Sequence, residues 1–333
     1  MQKTTIAING FGRIGRTLFR LLLNHSQIEV VAINDLADAA TLSHLLKYDS
    51  IHGVLNAAVS HRGNNLVVNG KEIPIYNGEK PSQIQWNSCG IDIVVEATGK
   101  FKSYEALLPH LETGAKKVIL SVPPLDDQIK TVVMGVNEHI LDGSEKIISN
   151  ASCTTNNAAP MIKIMDELCG IEQAYITTVH SYTTDQSLHD QPHRDLRRAR
   201  AASLSIVPTT TGAAKALTKI FPHLGDTIGG CGIRVPVPDG SLTDITFNVK
   251  NKTSIEAINS AFKEAAQGDL KGVLAYTEDP IVSVDVINSD YSCTFDALMT
   301  SVIGKMVKII GWYDNETGYS SRIIDLINYI HKK

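Results

Sequence analysis

Thr5-Ile6-Ala7-Ile8-Asn9-Gly10-Phe11-Gly12-Arg13-Ile14-Gly15 decides how the first half of this chain folds. Thr5–Asn9 is a short apolar run of strand type, and Ile14, Leu18, Leu21 and Leu22 recur at helical spacing. Between them Gly10, Gly12 and Gly15 match G-x-G-x-x-G. The spacing alone is weak, since any strand–turn–helix can carry convenient glycines. Here it follows a predicted strand and opens a predicted helix. Asp35 then stands 20 residues beyond Gly15, at the end of a second apolar run. Gly10 would allow the tight turn, Gly12 the approach of backbone to a pyrophosphate, and Gly15 close packing of helix on strand. The free N–H groups of the helix start would hold the phosphates. A carboxylate at Asp35 can bind both ribose hydroxyls and would repel a 2′-phosphate, which favours NAD over NADP. A triphosphate loop would need Gly-Lys-Ser/Thr, which is absent.

Outward from that stretch, the apolar runs Glu29–Asn34, Ile91–Glu96, Lys117–Ser121, Val132–Val136 and Ile147–Ser149 are predicted strands. Strands alternating with helical patterns imply a parallel sheet covered by helices. Asn69-Gly70, between Leu66-Val67-Val68 and Glu72-Ile73, predicts a hairpin at one edge. After residue 153 the pattern changes. Ala174–His180, Gly232–Val235, Leu242–Lys250 and Ile281–Val286 are β-rich, and helices are expected over Gly212–Lys219, Ser254–Gln267 and Tyr319–Ile330. The expected fold is α/β: a Rossmann dinucleotide-binding domain over 1–151 with 317–333, and an α+β catalytic domain over 152–316 on an antiparallel or mixed sheet. The long aperiodic stretch 181–202 is of the kind that serves function.

The 333 residues suit two domains. A formal net charge of −4 gives no general attraction to nucleic acid or anionic membrane. No apolar run reaches membrane-span length, and the N-terminal residues lead straight into a strand without a signal-peptide pattern. Five scattered cysteines, at 89, 153, 169, 231 and 293, form no C-x-x-C pair. They fit a reducing, cytoplasmic setting rather than a disulfide or zinc framework.

Ser149-Asn150-Ala151-Ser152-Cys153-Thr154-Thr155-Asn156 places a thiol where a strand gives way to a helix. The free N–H groups and partial positive charge of a helix start favour a thiolate, so Cys153 is expected to have a lowered pKa and to act as a nucleophile. Against this, cysteines often only pack. His180, at the end of a predicted strand, is the best-placed base, although an ordinary satisfied histidine would look the same. His189 and His193 have metal-ligand spacing, but Pro192 breaks the helix they would need, and no metal is expected. Arg194-Asp195-Leu196-Arg197-Arg198-Ala199-Arg200 is either a solvated face or a phosphate-recognising run. Thr209-Thr210-Thr211-Gly212 before a helix and Arg234 at a strand end are further candidate anion groups.

Taken together these residues resemble phosphorylating glyceraldehyde-3-phosphate dehydrogenases. The motifs are N-G-F-G-R-I-G-R at 9–16, A-I-N-D at 32–35, H-L-L-K-Y-D-S at 44–50, S-N-A-S-C-T-T-N at 149–156 and H-S-Y-T-x-D-Q at 180–186. They continue with D-L-R-R-A-R-A-A at 195–202, P-T-T-T-G-A-A-K at 208–215 and W-Y-D-N-E-T-G-Y-S at 312–320. The resemblance implies that Cys153 attacks the aldehyde with His180 as base, hydride passes to NAD, and inorganic phosphate cleaves the thioester. It implies that Thr183, Arg198 and Arg234 hold the substrate's C3 phosphate, while Ser152, Thr154, Thr211 and Gly212 bind the attacking phosphate. For the cofactor it implies Asn9, Gly10, Gly12, Arg13, Ile14 and Gly15 at the pyrophosphate loop and Asp35 at the ribose. Thr98, Gly99 and Ser121 would line the groove, and Asn315 would meet the nicotinamide amide. A homotetramer with the 181–202 loop between subunits is also implied.

Three positions depart from the family pattern. Asn157 replaces a frequent second cysteine, Thr184 a usual Asn, and Gln191 a frequent Leu before Pro192. The sister erythrose-4-phosphate dehydrogenase is the alternative enzyme. A redox-sensing or nucleic-acid-binding protein on the dinucleotide fold is the alternative of another class.

Overall fold

The computed structural model describes residues 3–333. They form two compact units. The first comprises the chain up to Val132, His139–Ala151 and Ile323–Lys333; the second comprises Val133–Glu138 and Ser152–Arg322.

The first unit is built on a nine-stranded sheet. Its order is Lys130–Thr131, Ile147–Ser149, Lys117–Leu120, Ile93–Glu96, Thr4–Asn9, Ile28–Asn34, Lys71–Tyr76, Asn65–Val68 and Val59–Arg62. Neighbours run parallel as far as Lys71–Tyr76, and the last two pairings are antiparallel. The central strands are apolar in their middle because helices cover them: Ile6, Ala7, Ile8, Val94, Val95, Val118 and Ile119 have no exposed surface. The hairpin expected at Asn69-Gly70 is present, with both residues at positive φ, +51° and +83°. From Thr4–Asn9 the chain moves to one side for Ile28–Asn34 and later to the other for Ile93–Glu96. The resulting crevice at the carboxyl ends is where open α/β sheets bind ligands.

The second unit carries an eight-stranded mixed sheet. Its path is Val207–Thr209, Ile228–Val235, Ile171–Ser181, Ser241–Val249, Met306–Tyr313, Cys293–Asp296 and Leu274–Thr277, with Ser301–Ile303 attached to Met306–Tyr313. The helix Cys153–Cys169 packs on this sheet beside helices Ala213–Ile220 and Ile255–Gln267. Phe262 and Phe295 stack at 3.8 Å between ring centroids in the core.

Two expected strands are corrected. Within Val132–Val136 only the Val132 N–H still bonds across, to Ser149 O. Asn137 Oδ1 then accepts the Val133 N–H at 2.7 Å, and Gly135 turns the chain at φ +80°. Within Ile281–Val286 the Asp285 carboxylate accepts the Val282 N–H at 2.8 Å, and Ser283–Val286 closes into a 3-10 turn. In both places a side chain takes a backbone donor that a ladder would need. Met306–Tyr313, not expected from the sequence, is central to its sheet. Gly311 obscures its pattern, yet a Cβ there would lie 2.6 Å from Cys293 Sγ.

Candidate active site

In the first unit the three glycines do three different things. Gly10 has φ +95°, and a Cβ on it would meet the Thr98 nitrogen at 2.7 Å. A Cβ on Gly15 would lie 2.2 Å from Gly10 O, so helix Arg13–Leu22 can sit this close to the turn only with glycine there. A Cβ on Gly12 would meet nothing within 4 Å. Gly12 caps the helix, whose first turn contains no acidic residue. That open, donor-rich approach fits a pyrophosphate.

Asp35 follows the strand Ile28–Asn34, accepting the Phe11 N–H at 2.7 Å and the Ala37 N–H at 3.0 Å. The loop and the expected ribose carboxylate are thus tied together. Arg13 is different: its guanidinium forms a two-point bridge to Asp49, at 2.6 and 3.1 Å. Burial pushes the Asp49 carboxyl up, but the His52 and Ile51 N–H groups and Arg13 outweigh it, leaving it at about 2. Only the backbone of Arg13 and Ile14 is therefore suited to a pyrophosphate. Beneath the loop lies a buried polar row. Asn9 Nδ2 donates to Glu96 Oε2 at 2.5 Å, and Asn34 Nδ2 donates to Asn9 Oδ1 at 2.7 Å. His110 Nδ1 accepts from Trp86 Nε1 at 2.9 Å, so its Nε2 carries the proton it shares with Glu96, 3.2 Å away. Glu96 Oε1 also accepts the Thr98 N–H at 2.8 Å, and its carbonyl accepts the Ser121 N–H at 3.0 Å. Gly99 continues the same loop at φ +67°.

In the second unit, Cys153 is the first residue of its helix. Ser152 is the N-cap, its Oγ accepting the Thr155 N–H at 3.1 Å. His180 comes from the neighbouring strand, and its Nε2 lies 3.4 Å from Cys153 Sγ. Its Nδ1 lies 2.8 Å from the Ser181 carbonyl. The tautomer that donates from Nδ1 to that carbonyl leaves Nε2 a lone pair for the thiol; the other would accept at Nδ1 from Arg234 Nη1, 2.5 Å away. Arg234 is the direct parallel-sheet partner of His180 and donates from Nη1 to the same carbonyl at 2.9 Å. Burial, followed by the charges of Arg234 and Arg198, holds the imidazole down at about 3. The thiol departs from the expectation of a lowered pKa. Burial pushes it up, against the pull of Arg234 and the Thr154 N–H. Both directions, the thiol up and the imidazole down, favour a neutral pair over thiolate and imidazolium.

The expected phosphate groups fall into two sets. Arg198 pairs with Asp185 and donates from Nε to Thr209 Oγ1 at 2.9 Å, which brings it to the 209–212 segment. Thr183 begins the turn closed by Gln186, and Thr211 Oγ1 accepts the Ala213 N–H at 3.2 Å beside Gly212. Ser152 and Thr154 are already engaged. The first caps its helix, and Thr154 Oγ1 bonds Tyr313 OH at 3.0 Å.

Sequence reasoning missed Tyr313, which also bonds Thr178 Oγ1 at 3.0 Å and sets its ring edge against His180. It likewise missed Ser181 and Ser241, whose hydroxyls each donate to Asn315 Oδ1 at 2.8 Å. Ser181 adjoins His180 and Tyr313 lies two residues before Asn315, whereas nothing next to Ser241 in the sequence pointed to it.

Dinucleotide-dependent oxidoreductases are the class that such a sheet, glycine turn and thiol–imidazole pair define. Residues 4–104 match the family model described as glyceraldehyde 3-phosphate dehydrogenase, NAD binding domain, and residues 152–315 match the corresponding C-terminal domain. The chain is 55% identical to the glyceraldehyde-3-phosphate dehydrogenase of Geobacillus stearothermophilus over 330 residues, 98% of each chain. It is 52% identical to glyceraldehyde-3-phosphate dehydrogenase 1 of Bacillus subtilis (strain 168), again over 98% of each. The chain belongs to the glyceraldehyde-3-phosphate dehydrogenase family, and its cofactor is NAD.

Proposed function

We propose that the chain oxidises D-glyceraldehyde 3-phosphate with NAD and inorganic phosphate to 1,3-bisphosphoglycerate, in glycolysis and gluconeogenesis. The observation that carries this reading is Cys153 Sγ at 3.4 Å from His180 Nε2, with Arg234 at the far side of the ring. The sulfur attacks the aldehyde carbon as the thiol proton passes through Nε2 to the carbonyl oxygen, giving a hemithioacetal. Bound NAD, held by the glycine turn and Asp35, would supply the hydride acceptor needed to turn that adduct into a thioester. The imidazole removes the hydroxyl proton in that step and returns it to the sulfur when phosphate displaces it. A neutral imidazole at rest is free to take the proton, while the burial and the Arg234 charge that keep it neutral also weaken it as a base.

Arg234, Arg198 and Thr183 would hold the C3 phosphate, and Thr211 and Gly212 the attacking phosphate. Ser152 and Thr154 would contribute through backbone and helix start rather than through free hydroxyls. The glycine turn, Asp35, Thr98, Gly99, Ser121 and Asn315 would hold NAD. A cytoplasmic homotetramer is part of the proposal. It is supported by the exposed Leu188, Leu196, Leu204 and Ile206 in and beside the long loop, which suit burial against a second copy.

The test is initial NADH formation by the purified protein with glyceraldehyde 3-phosphate or erythrose 4-phosphate, each with and without phosphate, and with NADP replacing NAD. Fast, phosphate-dependent turnover of the triose with NAD is expected. Preference for the tetrose would move the assignment to the sister enzyme, and no turnover in any combination would favour a binding protein.

A further inference from the structure

We infer that Ser181 and Ser241 are positioning residues for the coenzyme. Together they fix the Asn315 amide with its oxygen turned toward the serines, so that its NH2 group acts as a donor to the carboxamide oxygen of the nicotinamide. The inference rests on the reading above that Asn315 meets the nicotinamide.

The two ends of an asparagine amide have nearly the same shape, so packing hardly distinguishes them; hydrogen-bond partners do. Ser241 Oγ accepts the Ser181 N–H at 3.1 Å and donates its own proton to Asn315 Oδ1 at 2.8 Å. Ser181 Oγ donates to the same oxygen at 2.8 Å. Both serines are almost completely buried. If the amide were flipped, NH2 would face the two hydroxyls: the Ser181 proton would lose the amide oxygen as acceptor, and the Ser241 proton would keep only Ser181 Oγ, at a long 3.5 Å. A buried donor left without an acceptor is costly, and here one would be stranded while the other fell back on a weak bond.

The arrangement follows from the sheet. Ile171–Ser181, Ser241–Val249 and Met306–Tyr313 are adjacent, with Val179 opposite Leu242 and Ser241 opposite Tyr313. Ser181 and Ser241 therefore reach the same end of the sheet, where Asn315 lies two residues beyond the third strand. The Asn315 N–H donates to Asp239 Oδ1 at 3.3 Å, which anchors its backbone as well. His180 directly precedes Ser181, so one strand end carries both the base and a group that aims the coenzyme amide.

The experiment compares NAD with thionicotinamide adenine dinucleotide, in which sulfur, a weak acceptor, replaces the carboxamide oxygen. Wild type, Ser181→Ala, Ser241→Ala, the double variant, Ser241→Thr and Asn315→Ala are assayed with the triose, with Cys153 alkylation by iodoacetamide as a check on the reaction centre. Each alanine variant should raise the KM for NAD about three- to tenfold with a smaller change in kcat. The double variant should lose most of the preference for NAD over the thio analogue, as Asn315→Ala does, while alkylation proceeds at the wild-type rate. Ser241→Thr, which keeps the hydroxyl, should retain the preference; Ser181→Ala carries the test alone if the Ser241 variants fail to fold. If Asn315→Ala changes the preference and the serine variants do not, the inference is overturned and the reading of Asn315 stands. If Asn315→Ala changes nothing, both fall.

Discussion

Arg234 Nη1 stands 2.5 Å from His180 Nδ1, and the two nitrogens share the carbonyl oxygen of Ser181. A fixed positive charge therefore sits against the back of the His180 imidazole, on the side away from the thiol. Its effect is to disfavour imidazolium, after burial has already done so. Arg234→Leu should raise the His180 pKa from about 3, by about one unit on the scale of a close charge, with burial still holding it below its ordinary value. Titration of the ring by NMR checks the sign; a lower pKa in the variant would show that Arg234 does not repel the protonated ring.

Cys153→Ser should reduce kcat by about a thousandfold or more, since a hydroxyl facing a weakly basic imidazole is a poor nucleophile. NAD affinity, measured by fluorescence quenching, should stay close to wild type. A variant retaining a tenth of normal turnover would remove Cys153 from the nucleophile role.

The glycine turn separates a folding effect from a binding effect. Gly15→Ala puts a methyl 2.2 Å from Gly10 O and should lower stability by about 1–3 kcal/mol, as overpacking does. Gly12→Ala points into open space and should unfold at the wild-type temperature. The same methyl would intrude on the pyrophosphate, weakening NAD about tenfold or more. Calorimetry beside NAD titration reads both; equal loss of stability in the two variants would contradict the assigned roles.

Asp239 gives stability a pH dependence of opposite sign to that of most carboxylates. Burial first, then the charges of Asp314 and Glu316, push its carboxyl up to about 8. The folded protein keeps a proton that the unfolded chain releases near its ordinary value of about 3.9. Stability from this group is fully present below that value and is lost as pH rises toward about 8, by at most about 1.4 kcal/mol per pH unit. Asp239→Asn imitates the protonated form and should gain on wild type steadily between pH 6 and pH 8 in urea unfolding. A constant difference across that range would place the proton elsewhere.

Ala151 has φ +57° and is fully buried just before Ser152, the cap of helix Cys153–Cys169. Ala151→Gly relieves about 1 kcal/mol of strain but loses a buried methyl and frees the unfolded chain, each worth a similar amount. Its net effect should be within about 1 kcal/mol of zero or slightly destabilising. Ala151→Val should cost several times more, because β-branched residues rarely tolerate this region. Equal stability of the Val variant in thermal unfolding would mean the backbone relaxes there.

The glycine turn, the helix that starts at Cys153 and the parallel sheet were legible because each is a local pattern: spacing, capping and apolar runs lie within a few residues. What was hidden depended on groups far apart in sequence. The burial that raises the Cys153 thiol, the capture of Arg13 by Asp49, and the convergence of Ser181, Ser241 and Asn315 exist only once strands are paired. The two misread strands failed for a different reason. Asn137 and Asp285 look like ordinary polar residues in sequence, but each intercepts the N–H that would have continued a ladder.

His180 and Ser181 are consecutive on one strand, so their side chains leave opposite faces of it. One face meets the sulfur and the other meets Asn315. The strand thus stores two assignments as odd and even positions. Substitutions along it can be absorbed one at a time, whereas inserting or deleting a single residue upstream would exchange the two faces together. Length, more than composition, is what keeps each of the two contacts on its own face of the strand.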